Sequence, residues 1–159
     1  MFVFVAILMI SVSTTAQEKW NSFDSEMGKF SIDFYGDVSV SERITEKAMT
    51  YKTTFSSDYM SVLVSSSKHI KLLDSNDLKI SVDSFIDSIK GTIVSKEEIE
   101  DDGVKGIFAV ITLNEGATLV EYKVYINKNY QYQVMAYAEK VFYNQKRADR
   151  CFDSFKIVD

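Results

Sequence analysis

One cysteine and one histidine are all that this sequence holds of the side chains that make a Cys-His nucleophile or a Cys/His zinc site. Cys151 lies within "RADRCFDSFKIV", residues 147–158, and His69 lies near the end of a strand-like run. A cysteine nucleophile needs a base within hydrogen-bond reach. The surrounding spacing argues for another role. Ala148, Cys151, Phe152 and Phe155 recur at i, i+3, i+4 and i+7, while Lys146, Arg147, Asp149, Arg150 and Asp153 fall off that stripe. This predicts an amphipathic helix that buries Cys151 as a small hydrophobe. His69 alone makes no zinc site, because such sites draw several ligands from the protein. The dense carboxylate run "KEEIEDDG", residues 96–103, lacks the alternating oxygen ligands of a calcium loop. A charged edge strand entering a hairpin accounts for it better, since edge charges discourage sheet-to-sheet association. No Gly-rich phosphate loop, Ser-His-Asp order or metalloprotease motif is present, so no catalytic residue, cofactor or metal is predicted.

The elements that must position these residues are legible in the periodicity. "GKFSIDFYGDV" alternates Phe30, Ile32 and Phe34 with polar residues, a half-buried strand ending at Gly36 and Asp37. "EKAMTYKTTF" and "YMSVLVSSS" read as two more strands, with a turn at Ser57-Asp58. In "SVDSFIDSIKG", Val82, Phe85, Ile86 and Ile89 mark one helical face, with Ser81 as its cap and Gly91 at its end. Leu78 extends that face by a turn.

From 93 to 138 the chain reads as an antiparallel meander. Asp102-Gly103 signals a two-residue hairpin, and Glu115-Gly116 a second turn. The second turn predicts Ile107, Ala109, Ile111 and Leu113 opposite Val124, Tyr122, Val120 and Thr118. Strand 104–113, apolar on both faces, is expected at the centre of the sheet. A three-residue "NKN" loop, with Asn129 left-handed, is expected at the third turn. It sets Val120, Tyr122, Val124 and Ile126 against Ala136, Val134, Tyr132 and Tyr130 on one apolar surface. Tyr122, Tyr130 and Tyr132 are then core. Lys123, Tyr125, Gln131, Gln133 and Tyr137 project to the other face, where aromatics among polar groups suit a binding surface.

The N-terminus, "MFVFVAILMISVSTTAQEKW", carries an uncharged apolar run from Phe2 to Val12 followed by Thr14 and Ala16 at signal-peptidase spacing. The run is shorter than the ~20 residues of a membrane span and predicts a signal peptide over 1–16, then one domain over 17–159. The expected product is periplasmic or secreted, with no stable membrane anchor after cleavage. A single cysteine forms no intramolecular disulfide. The formal charge of −5 argues against a nucleic-acid partner.

In this order the elements resemble the PsbP-like and Mog-like fold family. The likeness rests on the early "FSIDF" strand, the helix with "FIDSI", and the strand "GVKGIFAV". The aromatic strand "YQYQVMAYA" leading into "ADRCFDSFKIV" completes it. The resemblance covers roughly residues 28–158, and Tyr35 stands where many members have proline. It implies an α+β fold, an antiparallel β-sheet flanked by helices in an α-β-α sandwich, and transfers no site. The expected function is an exported, non-enzymatic binding or accessory domain that meets another protein through the sheet face. The alternatives are a small hydrolase or isomerase, which a pocket with a buried carboxylate or an unpaired His69 would favour, and an apolar ligand carrier, which needs an apolar cavity between sheet and helix.

Overall fold

The computed structural model describes residues 19–56 and 59–158. The expected signal peptide, residues 1–16, and the turn at Ser57-Asp58 lie outside the described residues. In chain order the strands are β1 (Trp20–Ser25), β2 (Phe30–Tyr35), β3 (Val38–Ile44), β4 (Ala48–Ser56) and β5 (Met60–His69). Helix α1 (Ser75–Ser88) follows, then β6 (Thr92–Asp101), β7 (Val104–Leu113), β8 (Thr118–Asn127) and β9 (Tyr130–Glu139). Helix α2 (Gln145–Ser154) and the short β10 (Lys156–Ile157) end the chain.

Two antiparallel sheets result. The larger has the order β3-β4-β5-β9-β8-β7-β6, and the smaller has β1-β2-β10. Phe30, Ile32 and Phe34, the alternating residues of β2, are fully buried between the sheets. They share a core with Val62 and Val64 of β5, Val134 and Ala136 of β9, and Ala148, Cys151 and Phe152 of α2. A second core lies on the other side of the large sheet, where Leu78, Val82 and Ile86 of α1 meet Ile107, Ala109, Val120, Tyr122 and Val124. Phe85 stacks on Tyr122 with ring centroids 4.1 Å apart. Each buried aliphatic or phenyl side chain contributes about 1.5–3 kcal/mol relative to exposure. The fold is therefore α+β. Among the described residues only α1 forms a helical layer by itself, because α2 shares its layer with the small sheet, so the symmetric α-β-α sandwich is met in part.

Helix α1 begins earlier than its apolar stripe indicates. Asp74 is the cap; its carboxylate accepts from the amides of Asn76 and Asp77, and Asp77 returns the bond to the Asp74 amide at 3.1 Å. That reciprocal box satisfies the first-turn donors and supplants Ser81 as the start. At the other end Lys90, at φ 53, takes the left-handed position expected of Gly91. The Gly91 amide reaches the Ile86 carbonyl at 3.0 Å and the Lys90 amide that of Asp87 at 3.1 Å, a Schellman closure.

The first two hairpins keep the expected registers. Asp102 and Gly103, at φ 50 and 78, form the two-residue turn, and Ile107, Ala109, Ile111 and Leu113 face Val124, Tyr122, Val120 and Thr118. Strand β7 is internal but second from the edge, and β9 holds the centre. The charged run 96–101 lies on the edge strand β6, as the sequence indicates.

The third hairpin departs from expectation. Asn127 pairs with Tyr130, so the loop has two residues and Lys128, at φ 57, is left-handed in place of Asn129. Lys123 pairs with Val134, Tyr125 with Tyr132, and Val124 with Gln133. The single apolar surface assumed for β8 and β9 does not exist. Strand β8 lies between two cores and buries side chains on both faces, whereas β9 buries Tyr132, Val134, Ala136 and Ala138 in one core and sends only the half-buried Met135 and Tyr137 to the other.

Candidate functional site

The one-residue change in register splits the expected binding surface, because it moves every β9 side chain to the opposite face. Lys123 and Tyr125 point toward α2 and the small sheet. Gln131, Gln133 and Tyr137 point to the α1 side. Tyr125 is a core residue at 3% exposure. Its ring stacks on Phe155 at 5.8 Å and covers Gly106, where a Cβ would come within 2.7 Å of the ring. The missing side chain of Gly106 is thus what lets the tyrosine lie flat on the neighbouring strand. The Tyr125 hydroxyl donates to the Asp101 carboxylate, and burial, then Asp101, raises its pKa. Lys123 is half-buried with its ammonium 5.4 Å from the Phe152 ring and 5.9 Å from that of Phe108.

Gln131, Gln133 and Tyr137 instead join residues that the sequence reading did not single out. Helix α1 packs on β7 and β8 and reaches the border of β9, where Met135 and Tyr137 pack against its core, and among the described residues no helix lies over β5, β4 and β3 on that face. Strand pairing sets the side chains of this face in rows, all exposed or half-buried except the buried Ser65. Arg43, Thr50, Ser67 and Gln131 form one row, and Ser41, Lys52, Ser65 and Gln133 the next. Ser39, Thr54, Leu63 and Met135 form a third, and Ser56, Ser61 and Tyr137 a fourth. Hydroxyls bridge the strands: Thr50 Oγ1 lies 2.8 Å from Ser67 Oγ, and Ser56 Oγ 3.1 Å from Ser61 Oγ. Ser65 Oγ donates to Gln133 Oε1 at 3.4 Å. At the helix border Gln131 Nε2 donates to Ser81 Oγ at 2.5 Å. These rows carry the cations Arg43 and Lys52 and no carboxylate, in a chain whose formal charge is −5. The clue in the sequence was "SSS", residues 65–67, an unusually polar end for a strand that reads as core.

His69 ends β5 on the same face. Its Nε2 is buried and has no hydrogen-bond partner among the described residues. Burial lowers its pKa, and the nearby Asp77 carboxylate opposes that shift. Glu121 is the buried carboxylate among the described residues, at 7% exposure, and it lies on the other side of the sheet. Its oxygens accept from Gln145 Nε2 at 3.0 and 3.2 Å. It borders a cavity of about 340 Å³ shared with Lys123, Phe152 and Asp149. The neighbouring Tyr143 hydroxyl is raised in pKa by burial first and then by the charge of Glu121. His69 and Glu121 face opposite ways and cannot serve one reaction centre. Cys151 is 1% exposed on α2, again across the sheet from His69, and burial followed by Asp33 pushes its thiol up to about 12. A thiol so protonated is no nucleophile at neutral pH.

No group of three His, Cys, Asp or Glu side chains among the described residues is placed to hold a metal ion. A cavity of about 530 Å³ opens between the start of α1 and strands β6 and β7. Lys79 and Glu98 pair across it at 3.4 Å, and Glu100 and Lys105 also line it. So charged a rim does not make the apolar chamber that a lipid-like ligand would need.

No protein-family model matches the chain, and no curated protein matches its sequence. Among solved structures it is similar to the solution structure of cyanobacterial PsbP (CyanoP) from Synechocystis sp. PCC 6803, with a TM-score of 0.57 and 8% identity. That likeness covers 94% of this chain and 98% of the other. A protein from Bacteroides thetaiotaomicron VPI-5482 gives a TM-score of 0.46 at 14% identity, over 87% of this chain and 48% of the other, and carries no argument. At such identities the likeness is one of fold and not of activity. Two antiparallel sheets with α1 on one side of the larger and α2 beside the smaller on the other, matched over nearly the whole length of both chains, give this protein a PsbP-like fold.

Proposed function

We propose that the chain is an exported, non-enzymatic binding domain that takes a polar or acidic protein surface on the bare half of its large sheet. The observation that carries this reading is the set of hydroxyl and amide rows with Arg43 and Lys52 among them and no carboxylate. Such a surface offers donors, acceptors and positive charge on rigid strands, and charge complementarity speeds and orients docking. Tyr137 adds an aromatic ring with a polar tip at one end. Of the surface expected from sequence, Gln131, Gln133 and Tyr137 belong to this reading, while Lys123 and Tyr125 do not. Export rests on the apolar run Phe2–Val12 and the Thr14-x-Ala16 spacing. Among the described residues no helix is long and apolar enough to cross a membrane.

The hydrolase or isomerase reading draws on two observations, the buried Glu121 carboxylate beside its cavity and the unpaired Nε2 of His69, and these lie on opposite sides of the sheet. The binding reading is tested by Lys52→Glu, which reverses charge at an exposed position. A protein that co-purifies with the wild-type chain should be retained at least ~tenfold less well, with thermal stability unchanged. Equal retention by both chains would contradict the proposal.

A further inference from the structure

The two edges of the large sheet are built differently. Strand β6 has a register irregularity between Ile93 and Ser95, and it carries Lys96, Glu97, Glu98, Glu100 and Asp101. Bulges and charges of this kind stop one sheet from adding to another. Strand β3, the opposite edge, has neither defence in comparable measure. It pairs with β4 without interruption over its 7 residues, and β4 is its one strand neighbour among the described residues. Residues 39–44 are exposed, with Val40 at 60% and Ile44 at 67%. A regular edge that exposes Val40 and Ile44, with its outer side unpaired among the described residues, is a template for another strand.

We propose that β3 is a self-association edge, on which a second copy of this chain adds its own β3 antiparallel about a two-fold axis through Ser41. The sequence of the strand itself argues for this occupant. Ser41 is the midpoint of Val38–Ile44, so a two-fold there pairs every residue of the strand. Val38 then meets Ile44 of the second copy on one face, and Val40 meets Glu42 beside them. Ser39 meets Arg43 on the other face. No like charges oppose one another. Moving the axis to Glu42 opposes two carboxylates, which disfavours that register, and moving it to Val40 leaves Arg43 and Ile44 unpaired. A two-fold contact of this kind is self-complementary and closes at two copies. It also extends the hydroxyl rows of both copies into one surface, although it stands on the edge geometry alone and not on the proposed function.

The test uses the full chain. Ser41→Cys places two thiols across the axis, at a Cα separation of about 4.5–5.5 Å that suits a disulfide. Mild oxidation should yield a covalent dimer, whereas Thr92→Cys on the β6 edge should yield none. Sedimentation equilibrium of chains without added cysteine fixes the register. Wild type should associate reversibly to twice the monomer mass. Val40→Glu, which opposes carboxylates twice, should weaken association by about tenfold, and Val40→Lys should preserve it. Both substitutions fall at an exposed position, so folding is not at stake. A chain that stays monomeric up to about millimolar concentration overturns the proposal on the scale of weak interfaces. So does association that Val40→Glu leaves unchanged, or that both substitutions weaken alike.

Discussion

Cys151 is the side chain whose chemistry depends most on where the fold puts it. On the buried stripe of α2, against Phe30 and Phe34 of the small sheet, it is a space-filling residue with a strongly disfavoured thiolate. The native protein should resist thiol reagents until denaturant exposes the core. Phe152→Ala should cost roughly 3–5 kcal/mol, because it removes buried area and leaves a cavity beside Phe108. Fast labelling of the native thiol, or a Phe152→Ala chain as stable as wild type by urea titration, would show that α2 does not pack as described. The stripe of Ala148, Cys151 and Phe152 was readable from spacing alone, since a single face of one helix decides it. The role of Tyr125 was not. Its burial depends on a glycine that lies opposite in the fold, and nothing local distinguishes Gly106 from a turn residue.

At the scale of elements, capping chemistry sets the length of α1 where hydrophobic periodicity could not. The Asp74 and Asp77 box adds a turn that has few apolar residues of its own. Asp74→Ala should lower stability by about 1 kcal/mol, measured by urea titration, with the loss falling on this helix. No loss of stability would mean that packing alone holds the first turn. The β6-β7-β8 registers were legible because Asp102-Gly103 and the turn at 114–117 bracket an apolar strand on both sides. The β8-β9 register was not, for a definite reason. Choosing the loop that keeps one apolar face presumes a single core, but β8 serves two. Val120, Tyr122 and Val124 belong to the α1 side, and Tyr125 belongs to the other. With both faces of β8 buried, and the polar Glu121 and Lys123 on one of them, a polar residue no longer marks the solvent side, and alternation does not discriminate between a two-residue and a three-residue loop.

For the whole molecule, the consequence of that register is an uneven covering of the large sheet. One face is roofed throughout its centre by α2 and the small sheet. The other has α1 over β7 and β8, its core reaching Met135 and Tyr137 of β9, and bare rows from there over β5, β4 and β3. The central claim is that this bare half meets a partner. A photo-reactive side chain replacing Gln133, in the middle of the bare rows, tests it most directly when compared with the same group replacing Ser84, exposed on α1. Irradiation in the cells that make the protein should give a discrete adduct of defined mass from the Gln133 position and none from Ser84. No adduct at Gln133, or the same adduct from both positions, would contradict the account.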